Sequence, residues 1–383
     1  MTRRTASICI KEREAPVVRE TGMWSFSNPV RIEFGAGASA KAVDHIRGRR
    51  WALVTYDMPG FKEKAAQLAA VAAEPVVIID NIVANPDFAD LVSSCETFGK
   101  AKPAPEVIVA LGGGSIIDAA KVLAASGGSF ETVRKHVTGE QPIKDGSFTP
   151  IIAIPSTAGT GSEVTSWATV WDAASGRKYS LAHRSLYPEV AIVDPQVALS
   201  APRALTLATG LDALSHALES IWNVSANPVS ANFAVEAAKE VIETLPLLLE
   251  DLSNLELRSR QARAATMAGL AFSNTKTALA HNISYDITLA RGTPHGIACS
   301  FCLPAVMRWS IGADAQCDVN LRRIFGPDLR AGADRLRMMI ESLGVSTSPA
   351  DYGLNDAEWR CLVERAMQGE RGKNFIGRLN LAA

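Results

Sequence analysis

Residues 107–121 read VIVALGGGSIIDAAK, and this stretch decides the fold. A run of β-branched and other apolar residues leads into Gly112, Gly113 and Gly114, and Ser115 then begins a helical pattern. Glycine lets the backbone approach a pyrophosphate closely, and the free N–H groups at a helix start point at the anion. The pattern is neither the GxGxxG fingerprint nor a Walker A loop. A phosphate-binding turn and a simple tight turn therefore both remain open for this stretch alone.

Strand and helix signals continue on both sides of this stretch. In the first half, short apolar runs alternate with amphipathic segments, which is typical of a parallel sheet covered by helices. The second half changes to long Ala- and Leu-rich helical patterns. We therefore predict an α/β domain over residues 1–198 and an all-α domain over residues 199–383. The predicted strands are residues 51–55, 76–79, 107–111, 151–154 and 191–193, and the predicted helices of the second half are residues 204–222, 230–250, 255–272, 277–289, 331–343 and 356–367.

A second polar loop follows the predicted strand at residues 151–154 and reads PSTAGTGSEVT over residues 155–165. Small hydroxyl-bearing and glycine residues after a strand suit close packing of a flat ring, such as a nicotinamide, and hydrogen bonds to its amide or to phosphate. The loop could instead cap the next helix, with Ser162 or Thr160 near the N-cap, and one loop can do both.

Four residues of the second half are candidate metal ligands: Asp212, His216, His281 and His295. Asp212 and His216 stand four positions apart, so on a helix both side chains leave the same face one turn apart. Carboxylate oxygen and imidazole nitrogen are ligands that Fe²⁺ and Zn²⁺ accept, and such a set can leave positions open for a substrate. The alternative is that the histidines are ordinary packed side chains and that Asp212 is a carboxylate favoured by the helix dipole. Three of the six histidines fall in this apolar region, and their grouping favours a metal.

Composition excludes several other classes of protein. The 39 basic and 40 acidic residues leave a formal net charge of −1, which gives no electrostatic basis for binding nucleic acid or an anionic membrane. Residues 1–20 lack a signal-peptide core and no stretch is long and apolar enough to span a bilayer, so we expect a cytoplasmic protein. The six cysteines are scattered, which argues against a disulfide framework. Cys299 and Cys302 have the spacing of a redox motif, but their apolar neighbours predict a buried wall.

Several linked motifs together resemble the metal-dependent, iron-containing (group III) alcohol dehydrogenases. The resemblance extends over residues 24–310. It implies the dehydroquinate synthase-like fold, in which an α/β amino-terminal dinucleotide-binding domain and an all-α carboxyl-terminal domain enclose a hydride-transfer site. In chain order, the motifs are GGGSxxDxxK at residues 112–121, PSTAGTGSEV at residues 155–164, Asp194-Pro195, GxDAxxH at residues 210–216, His281, and Pro294-His295-Gly296.

The resemblance implies a role for each motif. The metal ligands, which would hold Fe²⁺ or Zn²⁺, are by motif match Asp212, His216, His281 and His295. The pyrophosphate contacts are Gly113, Gly114 and Ser115, with Gly112 and Asp118 in the same motif. The contacts near the nicotinamide are Thr157 and Thr160, with Ser162 in the same loop. Family members often form dimers or larger assemblies, so a homo-oligomer is expected.

The substrate is indicated by one departure from the family and by the residues around it. Many members carry a second histidine four residues after the one matching His281, where this chain has Tyr285. The local sequence is similar to the branch that reduces phosphonoacetaldehyde to 2-hydroxyethylphosphonate. A small dianionic substrate needs cationic donors near the metal, and Arg291, Arg371 and Lys373 are candidates. The proton that the product alkoxide needs could come from Tyr285 or from a water chain over the cofactor ribose.

Cofactor choice and reaction class leave alternatives. Asp57, near the end of the predicted strand at residues 51–55, is the candidate acceptor for the ribose hydroxyls, which favours NAD while NADP stays possible. A primary-alcohol, lactaldehyde or polyol dehydrogenase of the same family would share the core motifs. A dehydroquinate-synthase-like lyase would also use NAD and a divalent ion, but would not consume NADH. A nucleotide-binding or scaffold protein without activity would leave the four-ligand set unexplained.

Overall fold

The computed structural model describes residues 22–144, 146 and 148–379, so residues 1–20 lie outside the described part. Six parallel strands form one sheet in the order β1-β8-β5-β4-β2-β3, and β6 and β7 form a separate antiparallel hairpin. All five predicted strands are confirmed, whereas β1, β6 and β7 were not predicted. The strands are β1 (Arg31–Phe34), β2 (Trp51–Val54), β3 (Val77–Ile79), β4 (Val107–Gly112), β5 (Ile151–Pro155), β6 (Trp167–Asp172), β7 (Arg177–Ala182) and β8 (Val190–Val193).

Helices cover both faces of the parallel sheet, which explains why its central strands are apolar throughout. Successive residues of β4 point to opposite faces: Ile108 and Ala110 belong to one buried cluster, and Val109 and Leu111 to another. Helices α3, α4 and α5 contribute to the first cluster, and helices α1 and α2 to the second. These helices are α1 (Ala42–Ile46), α2 (Pro59–Ala72), α3 (Phe88–Lys100), α4 (Gly114–Ser126) and α5 (Phe130–Val137).

The strand order reverses between β2 and β4. From β2 the chain moves outward to β3, and from β4 it moves in the opposite direction to β5 and then β8. In open parallel sheets, the crevice outside the carboxyl ends of two such strands is the usual ligand site. The glycine turn of residues 112–114 lies at this point, between β4 and α4.

The carboxyl-terminal half has helices and no β-strand among the described residues, and it has its own apolar core. All six predicted helices are confirmed, while the shorter α10, α11 and α12 were not predicted. None of the described helices is both long enough and apolar enough to cross a membrane. The predicted domain boundary at residue 198 stays a prediction. The helices are α6 (Arg203–Ile221), α7 (Pro228–Glu250), α8 (Leu255–Thr275), α9 (Leu279–Arg291), α10 (His295–Ser300), α11 (Leu303–Ser310), α12 (Ala315–Phe325), α13 (Leu329–Ser342) and α14 (Asp356–Gln368).

Candidate metal and cofactor site

A cleft of about 700 Å³ lies between the parallel sheet and the helical half. It is lined by the turn between β4 and α4, the loop of residues 155–165, the β6–β7 hairpin, and helices α6, α8, α9 and α10. Among the predicted cofactor residues, those that line it are Gly113, Gly114, Ser115, Asp118, Thr157, Thr160 and Ser162. The cleft therefore brings both polar loops of the sequence to one side and the histidine-bearing helices to the other.

Glycine is required in the β4–α4 turn because the loop of residues 155–165 lies against it. A Cβ atom on Gly114 would stand 2.7 Å from Thr160 Cγ2, and one on Gly113 would stand 3.3 Å from Thr157 Cγ2. Gly112 does not line the cleft, and a Cβ atom there would overlap Ile116 instead. The start of α4 thus lines the cleft beside Thr157 and Thr160, and a helix start beside hydroxyl groups is suited to a pyrophosphate.

Asp118 and Ser162 tie the two loops together. The Ser162 hydroxyl donates to Asp118 Oδ1 at 2.6 Å, and the Thr169 N–H donates to Asp118 Oδ2 at 2.8 Å. The fully buried Lys121 ammonium donates to the Ser162 carbonyl at 2.7 Å and to its hydroxyl at 2.8 Å. Burial lowers the pKa of Lys121 to about 8. These bonds give Asp118 and Ser162 a role in holding the walls of the cleft.

Asp57 does not reach the cleft. Its carboxylate forms an ion pair with Lys62, and both side chains are more than 60% exposed. Tyr56 and Met58, its neighbours in sequence, line the cleft instead. The position of Asp57 therefore does not support the predicted contact with the ribose hydroxyls: it follows β2 in a segment whose alternate residues point in opposite directions.

Helices α6, α9 and α10 bring the candidate metal ligands together. The Nε2 atoms of His216 and His281 lie 3.8 Å and 3.5 Å from Asp212 Oδ1. One donor atom from each of Asp212, His281, His295 and Cys299 lies within 4.8 Å of the others, whereas the predicted ligand His216 does not belong to this group. Among the described residues, Asp212 Oδ1 and His281 Nε2 are buried and have no hydrogen-bond partner. Buried polar atoms without partners need an explanation, and a bound cation supplies one.

Burial and neighbouring charges give two of these side chains the protonation state that a metal needs. Burial lowers the pKa of His216 to about 4, so the ring is neutral at pH 7 and a nitrogen lone pair is free. Burial raises the pKa of Asp212, but His216, His281 and His295 lower it by more, so the group is a carboxylate. His216 Nδ1 lies 3.3 Å from the Gly159 carbonyl, which orients Nε2 towards Asp212.

Glu219 orients His281 from behind the candidate metal site. The Glu219 side chain is fully buried, and its Oε2 lies 2.6 Å from His281 Nδ1. The same carboxylate accepts hydrogen bonds from the N–H groups of Ala278, Ala280 and His281. Glu219 thus fixes both the start of α9 and the ring whose Nε2 faces Asp212. A carboxylate in this position raises the basicity of a ligating histidine and fixes its tautomer.

We expect Glu219→Gln to weaken metal binding by about 10- to 100-fold, the usual effect of losing an outer carboxylate partner of a ligating histidine. The carboxylate oxygen that accepts from the His281 Nδ1–H would be replaced by an amide NH₂, which cannot accept that hydrogen bond. Metal affinity is measured by competition with a chelator. Glu240→Gln is the matched control, because Glu240 is also buried but pairs with Arg260 and Arg263 on α8. Wild-type affinity in Glu219→Gln would contradict the prediction.

The predicted substrate residues divide into those that line the cleft and those that do not. Tyr285 and Arg371 line it. Arg291 does not, because its guanidinium donates to the Gly353 carbonyl at 2.9 Å at the far end of α9. Lys373 is exposed and also lies off the cleft. The structure therefore places Arg291 and Lys373 away from the cleft and does not support the substrate contacts predicted for them.

Three residues at or beside the cleft were not predicted from the sequence to contribute to the site. Lys178 lies on β7, its ammonium 4.4 Å from the Tyr285 ring centroid, and nothing in its local sequence marks it. Glu219 stands three residues after His216, a spacing that puts both on neighbouring faces of α6 and could have drawn attention to it. Cys299 stands four residues after His295 on α10, and its predicted burial is confirmed.

Two family profiles match consecutive parts of the chain. The profile described as "Iron-containing alcohol dehydrogenase" matches residues 29–195, and the profile described as "Fe-containing alcohol dehydrogenase family, C-terminal" matches residues 206–377. Together they cover most of the sequence, including both polar loops and all four predicted metal ligands.

Individual proteins agree with the profiles. The NAD-dependent methanol dehydrogenase of Bacillus methanolicus is 30% identical over 364 residues, which are 90% of this chain and 94% of that protein. A crystal structure of sulfoacetaldehyde reductase from Bifidobacterium kashiwanohense in complex with NAD⁺ matches with a TM-score of 0.85 and 29% identity, over 94% of this chain and 96% of that one. An iron-containing alcohol dehydrogenase from Thermotoga maritima matches with a TM-score of 0.78 and 28% identity, over 94% and 97%. The chain therefore belongs to the iron-containing alcohol dehydrogenase family of oxidoreductases, whose parallel-sheet amino-terminal domain and helical carboxyl-terminal domain it shares.

Proposed function

We propose that this protein is a metal-dependent reductase of small anionic aldehydes, with phosphonoacetaldehyde as substrate and 2-hydroxyethylphosphonate as product. The single observation that carries the choice of substrate is the pair of cations, Lys178 and Arg371, that line the same cleft as the candidate metal ligands. A neutral alcohol would need neither charge. An anionic head group needs at least one, because a buried anion is costly unless it is paired.

The residues that would hold the ion are Asp212, His216, His281 and His295, as the motif match implies. The two unpartnered buried atoms, Asp212 Oδ1 and His281 Nε2, fit this role because both face the space between α6, α9 and α10. When bound, Fe²⁺ or Zn²⁺ supplies a Lewis acid that polarises the aldehyde carbonyl. The chain's own contribution is to hold the donors: Glu219 fixes His281, and the Gly159 carbonyl fixes His216.

The cofactor would lie across the carboxyl ends of β2 and β4. Its pyrophosphate would contact Gly113, Gly114 and Ser115, and its nicotinamide would lie near Thr157 and Thr160. We propose NAD(H), supported by a structural relative that was crystallised with NAD⁺. Because Asp57 pairs with Lys62 away from the cleft, it is not placed to repel the 2′-phosphate of NADP, so the assay compares NADH with NADPH.

The anion would lie between the β6–β7 hairpin and the segment that follows α14. The Lys178 ammonium lies over the rings of Tyr285 and Trp171, at 4.4 Å and 5.5 Å from their centroids. Among the described residues it forms no ion pair with a carboxylate, and its charge acts on Asp118 and His295, which line the same cleft. Arg371 is largely buried, and its nearest carboxylate, that of Glu370, is 4.0 Å away and 82% exposed. A guanidinium and an ammonium together provide the donors that a phosphonate needs.

Tyr285 is the side chain that we propose as a proton donor. It stands one helical turn after His281 on α9 and lines the cleft beside Lys178. Its hydroxyl, or a water chain over the cofactor ribose, would deliver the proton that the product alcohol needs. Tyr285→Phe separates these routes, because only the hydroxyl route is lost.

We expect Lys178→Met and Arg371→Met each to lower kcat/KM for phosphonoacetaldehyde by about 10- to 100-fold, since a hydrogen bond to a charged group contributes about 1.5 to 3 kcal/mol. The loss should appear mainly in KM and should be much smaller for neutral aldehydes. NADH oxidation is followed with phosphonoacetaldehyde, sulfoacetaldehyde, lactaldehyde and propanal, each with added Fe²⁺, Zn²⁺ or chelator.

Lys373→Met is the matched control, because Lys373 is an exposed cation on the same segment as Arg371 but lies off the cleft. It should behave as wild type with every substrate. If the wild-type protein preferred neutral aldehydes, the proposal of an anionic substrate would be wrong. If it preferred sulfoacetaldehyde, the anion pocket would stand, but the substrate would carry a sulfonate in place of a phosphonate. Catalysis without net NADH consumption would instead indicate a lyase.

A further inference from the structure

The thiol of Cys299 lies inside the candidate metal site. Its Sγ is 3.5 Å from His295 Nε2 and 3.8 Å from His295 Nδ1, and the side chain is fully buried. Because His295 and Cys299 stand four residues apart on α10, both leave the same face of the helix. The motif match that singles out the other ligands does not include this residue.

The distances around Cys299 suit one shared ion. The donor atoms of Asp212, His281, His295 and Cys299 lie within 4.8 Å of one another. Donors that stand about 2.0 to 2.3 Å from one tetrahedral Zn²⁺ are about 3.3 to 3.8 Å apart. The distances from Cys299 Sγ to His295 Nε2 and from Asp212 Oδ1 to His281 Nε2, both 3.5 Å, fall in this range.

An independent observation indicates that this space is built for a ligand. Asp212 is 4% exposed and His281 is 3% exposed, and the Oδ1 and Nε2 atoms that lie 3.5 Å apart have no hydrogen-bond partner among the described residues. Two orphaned polar atoms at such burial cost free energy unless something binds them. The Cys299 thiol belongs to the same cluster of donor atoms.

We propose that Cys299 is a further ligand of the ion, so that this chain binds its metal with carboxylate, imidazole and thiolate donors. The inference rests on the proposed metal centre and adds a donor to it. On binding, the sulfur–hydrogen bond breaks, its electron pair forms the sulfur–metal bond, and the proton leaves to solvent. No electron is transferred to or from the protein.

A thiolate changes which ion the site prefers. Thiolate sulfur is a soft donor and favours Zn²⁺ over harder ions. Carboxylate and imidazole donors without a thiolate accept both Fe²⁺ and Zn²⁺. The extra negative charge also lowers the positive charge left at the ion and so weakens its pull on a carbonyl oxygen. Cys299 therefore bears on the choice between Fe²⁺ and Zn²⁺ in this chain.

Cys302 provides a matched control. It is also buried, at 2% exposed, and belongs to the same short segment, but its Sγ lies 3.9 Å from the Cys299 carbonyl and outside the cluster of donor atoms. Cys302→Ser makes the same atomic change in the same core and removes no proposed ligand. Comparing the two variants therefore separates the loss of a metal ligand from the effect of placing a serine hydroxyl in the core.

The test uses the full-length protein loaded with Co²⁺, whose absorption spectrum reports its ligands. We expect wild type and Cys302→Ser to show a near-ultraviolet thiolate-to-Co²⁺ charge-transfer band, and Cys299→Ser to bind Co²⁺ without that band. Competition between Zn²⁺ and Fe²⁺, measured as bound metal, should shift away from Zn²⁺ only in Cys299→Ser.

Two results would overturn the proposal, and they differ from failure of the metal centre itself. Stoichiometric Co²⁺ binding by wild type without a charge-transfer band would remove Cys299 from the ligand set and leave the metal centre intact. If Cys299→Ser kept the charge-transfer band of wild type, the thiolate bound to Co²⁺ would belong to another cysteine. If wild type bound no Co²⁺, Zn²⁺ or Fe²⁺ at all, the metal centre and the proposed function would fail together with this inference.

Discussion

Replacing His281 with alanine is expected to remove the bound metal and hydride transfer together. His281 offers its Nε2 beside Asp212 Oδ1 at 3.5 Å, while its Nδ1 lies 2.6 Å from Glu219. The substitution removes a proposed ligand and also leaves the Glu219 carboxylate, which is fully buried, without one of its partners. Loss of a residue that only hydrogen-bonds to a metal ligand lowers metal affinity or activity by about 10- to 100-fold. Loss of the ligand itself should therefore have a larger effect.

The measurement pairs metal content after dialysis with the rate of NADH oxidation. His45→Ala is the control, because His45 lies on α1, where it faces Glu33 at 3.7 Å and is remote from the cleft. That variant should keep both metal and activity. Turnover by His281→Ala in the presence of a chelator would exclude His281 from the metal centre and with it the Lewis-acid role proposed for the ion.

Gly296→Ala is expected to have the second-largest effect, although Gly296 carries no functional group. A Cβ atom at this position would stand 1.9 Å from the Ala208 carbonyl oxygen and 3.1 Å from Asp212 Cβ. The neighbour is the backbone of α6, which cannot rotate out of the way. Helix α10 must therefore move away from α6, and that movement separates His295 from Asp212. We expect a loss of about 1 to 3 kcal/mol in the free energy of unfolding, the usual cost of overpacking, together with weaker metal binding.

Thermal unfolding and metal content are measured on the same preparation. Gly60→Ala is the control, because a Cβ atom on this residue of α2 would meet nothing within 4 Å. It should leave metal binding unchanged and slightly stabilise the helix. Normal metal content in Gly296→Ala would show that α10 can shift without moving His295. The packing of α10 on α6 would then not control the position of this proposed ligand.

Local patterns account for the parts of the fold that the sequence predicted. The strand of β4 and the glycine turn after it are set by β-branched residues and by backbone freedom within fifteen residues of chain, residues 107–121. Asp212 and His216 share a face of α6 because of helical periodicity alone. The hairpin of β6 and β7 was missed because polar and charged residues interrupt its alternation, and α10 was missed because six residues are too few for a period to show.

Pairings across long stretches of chain could not be predicted in the same way. Glu219 contacts His281, which lies 62 residues later in the sequence, because α6 packs beside the start of α9. Lys178 reaches Tyr285 because the β6–β7 hairpin lies over the cleft. The same packing turns Asp57 and Arg291 away from it. Neither local propensity nor spacing contains this information.

The sequence by itself determined the α/β and all-α halves, the positions of both polar loops and the family, because these depend on local patterns and short motifs. Only the tertiary structure decided which polar side chains surround the site: Lys178 lines the cleft, and Glu219 and Cys299 lie beside the candidate metal ligands. Asp57, Arg291 and Lys373 lie off the cleft. The physical reason is that helix packing fixes side-chain neighbours through burial and steric fit over the whole domain. A single close approach, such as Gly296 against Ala208, then sets the distances at which donors meet.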